Sequence, residues 1–310
     1  MKYIDRRDFI KMSSRCAALA AAGMAAPGFI RAAWADPVPE LVVSKGAAPG
    51  AAARAAVEGL GGMSRFVSRG ARVVIKPNMS FAKGPEEAAN THPDVVRELA
   101  LMCSEAGASS VLVLDNPLQN VDMCLVRSQI RGACEGVSGT DVDAVTRMRD
   151  FQQVPVPIGV ALKSTMIMKQ VLAADVLIAA PVAKSHSGTG VSLSMKGMMG
   201  LIYNRREFHT SMDLNAAIVD LCTVLKADLA VVDASRILSD GGPGGPGKVI
   251  RLDTVVASAD MVAADAMAVE LGTWYGRSFK AGQVAHIRMA HERGLGNMEL
   301  EGRNIKEVAV

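Results

Sequence analysis

The sequence predicts an α/β domain: a parallel or mixed sheet with helices on both faces. Three observations predict it. Short continuous runs of Val, Ile and Leu recur along the chain, as strands do when both faces of a sheet are covered. Amphipathic stretches of helical length separate those runs. Several runs stop abruptly in polar residues, a pattern expected where the carboxyl ends of parallel strands meet a ligand.

The elements follow in chain order. Residues 41–43 (Leu-Val-Val) read as a first strand, and the alanine-rich 51–67 as a helix. Val73-Val74-Ile75 centre a strand over 72–76. Thr91-His92-Pro93 opens a helix over 93–106, and a strand over 110–114 follows. A helix is expected over 122–133, and an extra strand pair around 154–161 in the less regular stretch 141–170. The apolar run 176–180 is a strand, and Leu193 to Leu201 a short helix. A helix over 214–226 precedes strands at 229–232 and 249–258, joined by the Gly/Pro-rich loop 241–247. Asp260 is placed to cap a helix over 261–271, and a last helix spans 283–293.

Charge and composition bound the function. The chain has 310 residues, 50% hydrophobic and 21% charged, with a net charge of +3. The first 35 residues hold a surplus of four positive charges, so the rest is close to neutral, which argues against a nucleic-acid partner. With aromatic residues at only 4%, stacking platforms for single strands are not expected either. Asp5-Arg6-Arg7-Asp8-Phe9-Ile10-Lys11 has the form of a twin-arginine export signal, followed by an apolar stretch from Cys16 to Ala26 and a small-x-small site at Ala33-Trp34-Ala35. Residues 1–35 are therefore expected to be a signal peptide, and 36–310 one exported α/β domain. The export machinery is then a partner, and no stable membrane span is expected after cleavage. Cys103, Cys124, Cys134 and Cys222 form no C-x-x-C pair, so no iron–sulfur motif is present. They read as small buried hydrophobes, with Cys124 and Cys134 the pair to watch for a disulfide.

Candidate site residues cluster where strands end. The 72–76 strand runs into Lys76-Pro77-Asn78, the 110–114 strand into Asp115, the 176–180 strand into Lys184-Ser185-His186, and the 229–232 strand into Asp233. Lys184 through Ser192 reads as a basic, histidine-bearing turn before a short helix carrying Lys196. A helix start there would present unpaired N–H groups to an anion. Lys76, Asn78, Lys184, Ser187, Thr189 and Lys196 are the candidate anion-binding residues. His186 is the candidate acid or base because an imidazole titrates near neutrality, with Asp115 or Asp265 to orient it. His186, His209 and Asp233 are the candidate metal ligands. Gly242 to Gly247 matches G-x-G-x-x-G, but a strand rather than a helix follows and two prolines remove donors, so it is not a dinucleotide fingerprint.

These segments together resemble the bacterial and archaeal domain-of-unknown-function family 362, from about Val42 to Gly296. The resemblance rests on Lys76-Pro77-Asn78, Thr91-His92-Pro93, Ala106-Gly107-Ala108, Asp115, and Pro181 to His186 with Val191 to Gly200. His209, Asp233, the 241–247 loop and Asp260 to Asp265 continue it. Gly197 stands where the family usually has asparagine. The resemblance implies that Lys76, Asp115, Lys184, His186, Lys196, His209 and Asp265 face one site. Many members carry ferredoxin-type cysteine clusters, which this chain lacks, so that role is not carried over. The expected function is binding of an anionic small molecule at the strand-end edge, with catalysis left open and no cofactor identified. The alternatives are a non-catalytic periplasmic accessory protein of a redox or iron–sulfur system, docking on a redox partner, or a metal-binding protein.

Overall fold

The computed structural model describes residues 38–310. The expected export signal and the first two residues of the expected domain lie outside the described residues. The strands are β1 (Leu41–Lys45), β2 (Arg72–Pro77), β3 (Ser110–Asp115), β4 (Thr140–Ala144), β5 (Phe151–Pro155), β6 (Ser164–Met168), β7 (Val176–Ala180), β8 (Val182–His186), β9 (Gly190–Ser192), β10 (Leu229–Leu238), β11 (Val249–Ser258) and β12 (Ile305–Ala309). The main sheet runs β12-β1-β11-β10-β7-β2-β3-β4, with β8 pairing β10 and β9. From β10 to β4 the pairs are parallel, whereas β11 is antiparallel to both β10 and β1. The fold is therefore α/β with a mixed, mostly parallel sheet.

Strand alternation sends successive side chains to opposite faces, and both faces are apolar. Val73, Ile75, Val111 and Val113 pack with Ala52, Ala56, Val95 and Leu99 from the helices Pro49–Gly59 and Pro93–Glu105. Val74, Leu114 and Leu177 point the other way, into a core with Ile218 and Leu221 of Leu214–Cys222 and Ala264 and Ala268 of Met261–Leu271. Burying each such Val, Leu or Ile contributes roughly 1.5–3 kcal/mol. This explains why the strands read as unbroken apolar runs. Among the described residues, no helix is long and apolar enough to cross a membrane. The four cysteines beyond residue 37 are buried and free, Cys124 and Cys134 included.

Several boundaries differ from the sequence reading. The first helix ends at Gly59 rather than 67, because Gly61 and Gly62 take φ of 99° and 85°, where glycine has no steric cost. The 122–133 helix is two, Val121–Arg127 and Ile130–Cys134, broken at Gln129 with φ 61°. Leu214–Cys222 is a turn shorter than expected. The extra strand pair exists, but as β5 with β6, and residues 156–163 form its connection. The segment from Lys184 to His186 is strand β8, not a turn. β10 continues through Asp233 to Leu238, so Asp233 sits mid-strand rather than at an end.

The β5–β6 connection is held by one carboxylate. Asp220, fully buried, accepts N–H bonds from Val160 (2.8 Å), Ala161 (2.7 Å) and Leu162 (2.9 Å), and a 2.6 Å bond from Arg293 Nη1. Removing it leaves three amides and a guanidinium without their acceptor. Asp220→Ala is expected to cost about 3 kcal/mol or more. A denaturation midpoint measures the loss, and amide exchange at 160–162 should quicken. A change below about 0.5 kcal/mol would show that water replaces the carboxylate there.

Candidate functional site

The carboxyl ends of β2, β3 and β7 reach the same edge of the sheet, and β8 continues from β7 past Pro181. A cavity of about 490 Å³ opens there. Its cationic wall is Lys76, Lys184, Lys196, Arg205 and Arg206, joined by His186 and His209. Asn78, Ser187 and Ser192 add polar groups, and Phe81, Leu118, Met199 and Pro243 supply apolar surface. Among the described residues, no Asp or Glu lines it.

Each lysine reaches the wall by a different route. Lys76 ends β2 and is 2% exposed; its Nζ lies 3.5 Å from Asp115 Oδ1 at the end of β3. Asp115 is fully buried behind that pair, where its other oxygen accepts from Met79 N (2.9 Å) and Ser80 Oγ (2.8 Å). Lys184, on β8, donates to Ala89 O at 2.5 Å and stands 4.8 Å from the centre of the Phe81 ring. Lys196 lies on the one-turn helix Ser194–Gly197 and has no hydrogen-bond or ion-pair partner among the described residues. Burial pushes both Lys184 and Lys196 down to about 7, helped by neighbouring cations. It lowers Lys76 as well, with Asp115 opposing.

His186 does not titrate near neutrality. Burial, then the nearby lysines and His209, push it down to about 3. Its Nδ1 accepts the Gly188 N–H at 3.1 Å, which fixes the neutral tautomer with the proton on Nε2. That Nε2–H has no protein acceptor among the described residues, and His186 lines the cavity. Its ring stacks on His209 at 5.7 Å. Asn78 spends its Oδ1 on the Val182 N–H (3.0 Å), leaving its NH2 group as a further donor.

Four expected site residues lie off the wall. Asp265 is fully buried, and its carboxylate accepts from Ser194 N (2.9 Å), Ser194 Oγ (2.5 Å) and Met195 N (3.0 Å). The N–H groups expected to greet an anion at this helix start are therefore taken by the protein's own carboxyl, which burial pushes up to about 7. Thr189 is also off the wall; its hydroxyl donates to Val191 O at 2.8 Å. Asp233 is bound to Arg236 and accepts from His92 N (2.8 Å) and Ser235 Oγ (2.6 Å). It is not on the cavity wall with His186 and His209, and no cluster of three metal-ligating side chains occurs among the described residues. Asp115 sits behind the wall as the counter-ion of Lys76.

The sequence reading did not single out Arg205, Arg206, Phe81 or Leu118. Arg205 donates to the Asn116 and Pro117 carbonyls, the latter at 3.3 Å. Arg206 and His209 share a face of the helix Arg206–Thr210 through i,i+3 spacing. The adjacent Arg205-Arg206 pair, three residues before His209, was the available signal. The 241–247 loop forms part of the wall through Pro243 and is pinned by Gly242 N to Ser185 Oγ at 3.0 Å.

The model of the family described as a domain of unknown function, DUF362, matches residues 73–270, more than half of the chain. A thylakoid-associated protein of Synechocystis sp. is 27% identical over 240 residues, covering 69% of this chain and 67% of that protein. Among solved structures, the lactate racemase apoprotein from Thermoanaerobacterium thermosaccharolyticum aligns with a TM-score of 0.42 at 11% identity, over 71% of this chain and 54% of that one. A Thermotoga maritima protein aligns with a TM-score of 0.38 at 10% identity, over 61% and 51%. The aligned region thus spans about half the length of either structure.

Proposed function

We propose that this chain, which belongs to the DUF362 family, binds an anionic small molecule in the cavity at the strand-end edge. The observation that carries this is the wall: five cations and two histidines with no carboxylate among them. A cluster of like charges at a desolvated site is costly unless a counter-charge arrives. Lys76, Lys184 and Lys196 hold the anion in this reading. His186 Nε2–H and the Asn78 NH2 donate to it, and Asp115 keeps Lys76 in place.

Titration calorimetry of the full-length chain with sulfate tests the reading, because sulfate keeps its charge across neutral pH. Saturable binding is expected, with Lys184→Met weakening it by about 10–100-fold, the worth of one charge-assisted contact. No saturable binding of sulfate would overturn the proposal. The affinity should also depend on pH. An anion favours the ammonium forms of Lys184 and Lys196, which sit at about 7 without it. Binding above that pH therefore takes up protons, and affinity falls as pH rises through 7. Calorimetry in two buffers of different ionisation enthalpy measures the uptake directly.

We further propose that the chain is exported by the twin-arginine route, on the strength of Arg6-Arg7 and Ala33-Trp34-Ala35. Replacing both arginines by lysine should leave the protein in the cytoplasm of the producing cell. Cell fractionation checks this, and undiminished export of the variant would reject the route.

A further inference from the structure

We infer that Lys196 is a nucleophilic amine that condenses with the carbonyl carbon of an anionic oxo compound, a 2-oxo acid, bound in the same cavity. The inference rests on the anion-binding reading and names the class of anion. Geometry separates Lys196 from its neighbours. Lys76 is committed to Asp115 at 3.5 Å, and Lys184 to the Ala89 carbonyl and the Phe81 face. Lys196 is 8% exposed, lines the cavity, and has neither a hydrogen bond nor an ion pair among the described residues.

Its backbone is also fixed, because Asp265 holds the N–H groups of Ser194 and Met195 immediately before it. A buried, unpartnered amine on a rigid turn is suited to attack rather than to structural pairing. Burial and the adjacent Arg205 and Lys76 lower it to about 7 in the empty cavity, so a bound oxo acid meets an ammonium that gives up its proton, and exposes the attacking lone pair, more readily than an ordinary lysine.

The surroundings fit the electrophile as well. The remaining cations supply a seat for a carboxylate, and a guanidinium such as that of Arg205 or Arg206 can take it in bidentate form. His186 offers a neutral Nε2–H, which polarises a carbonyl oxygen without surrendering a full charge to the site. The step balances within these partners. The Lys196 nitrogen lone pair forms the C–N bond while the carbonyl π pair moves to oxygen. The carbinolamine then expels that oxygen as water, which carries away the two amine protons. The product is an imine, and no oxidant or reductant is consumed.

Borohydride trapping tests this. The full-length chain is incubated with pyruvate or 2-oxoglutarate, reduced with sodium borohydride, and read by intact-mass and peptide mass spectrometry. The expected result is one reduced adduct that maps to Lys196, displaced by sulfate and lost in Lys196→Arg, which keeps the charge but not the nucleophile. Should that variant fail to fold, the peptide map of the unaltered chain still decides. An adduct confined to Lys76, Lys184 or surface lysines would overturn the inference. So would saturable sulfate binding without any adduct, while the anion-binding reading survived. Absence of both sulfate binding and adduct would overturn the two together.

Discussion

Gly200→Ala is expected to abolish sulfate binding and to cost about 3–5 kcal/mol of stability, the usual loss when a buried ion pair is broken. A Cβ built on Gly200 would stand 2.2 Å from Asp115 Oδ1, 2.5 Å from Lys76 Cε and 2.8 Å from Lys76 Nζ. Asp115 cannot step aside, and Lys76 can do so only by leaving it. Asp115 is tied to Met79 N and Ser80 Oγ, and the Lys76 side chain borders the cavity beside it. Gly200 is held in turn, because its carbonyl accepts the Asn116 N–H at 2.9 Å. One methyl group must therefore either push the Met198–Leu201 turn out of the wall or separate the pair. Gly197, one turn earlier, is the contrast: a Cβ there meets nothing nearer than Pro181 Cβ at 3.9 Å. Gly197→Ala should leave stability within about 0.5 kcal/mol of the parent. Denaturation and calorimetry on the two variants read the difference. A Gly200→Ala protein that bound sulfate as the parent does would show that Lys76 is not part of the anion seat.

That glycine also marks the limit of what the sequence discloses. Strands were legible because both sheet faces are covered, which writes β2, β3 and β7 as unbroken apolar runs. Parallel pairing then gathers their ends, so Lys76, Asn78, Lys184, Ser187 and His186 could be placed at one edge without coordinates. His209 and Lys196 joined them through short elements packed on that edge. What the residues could not disclose was which way a carboxylate turns. Asp265 lies in the second turn of its own helix, and nothing local says that it bridges to Ser194 rather than to a ligand. Asp233 looked terminal because polar residues follow it, yet β10 runs on to Leu238 with a register shift between Ala234 and Arg236. The 5.7 Å stack of His186 on His209 joins residues on separate elements, and the burial that removes His186 from neutral titration is a property of packing.

Replacing Lys184 and Lys196 together by Met is expected to raise stability at neutral pH, on the order of several kcal/mol, while destroying anion binding. Folding brings each ammonium into a desolvated wall, lowering it from 10.5 to about 7. Between those values the unfolded chain binds more protons than the folded one, so stability of the parent rises with pH across the window and is flat below it. Buried thiols act in the opposite sense: Cys103, pushed up from 9.0 to about 12, makes stability fall above pH 9. The lysine slope is therefore cleanest from pH 7 to pH 9, and subtraction of the variant's curve removes the thiol contribution. Denaturant unfolding at several pH values supplies both curves. Equal slopes in parent and variant would mean that the two ammonium groups are hydrated in the folded protein, and the argument from burial would fail. Sulfate provides the converse experiment. It should raise the melting temperature of the parent, most strongly near pH 7 and below, where the ammonium charge it neutralises is present, and leave the variant unmoved. A cavity that destabilises the empty protein and stabilises the filled one is what ligand binding requires of clustered cations.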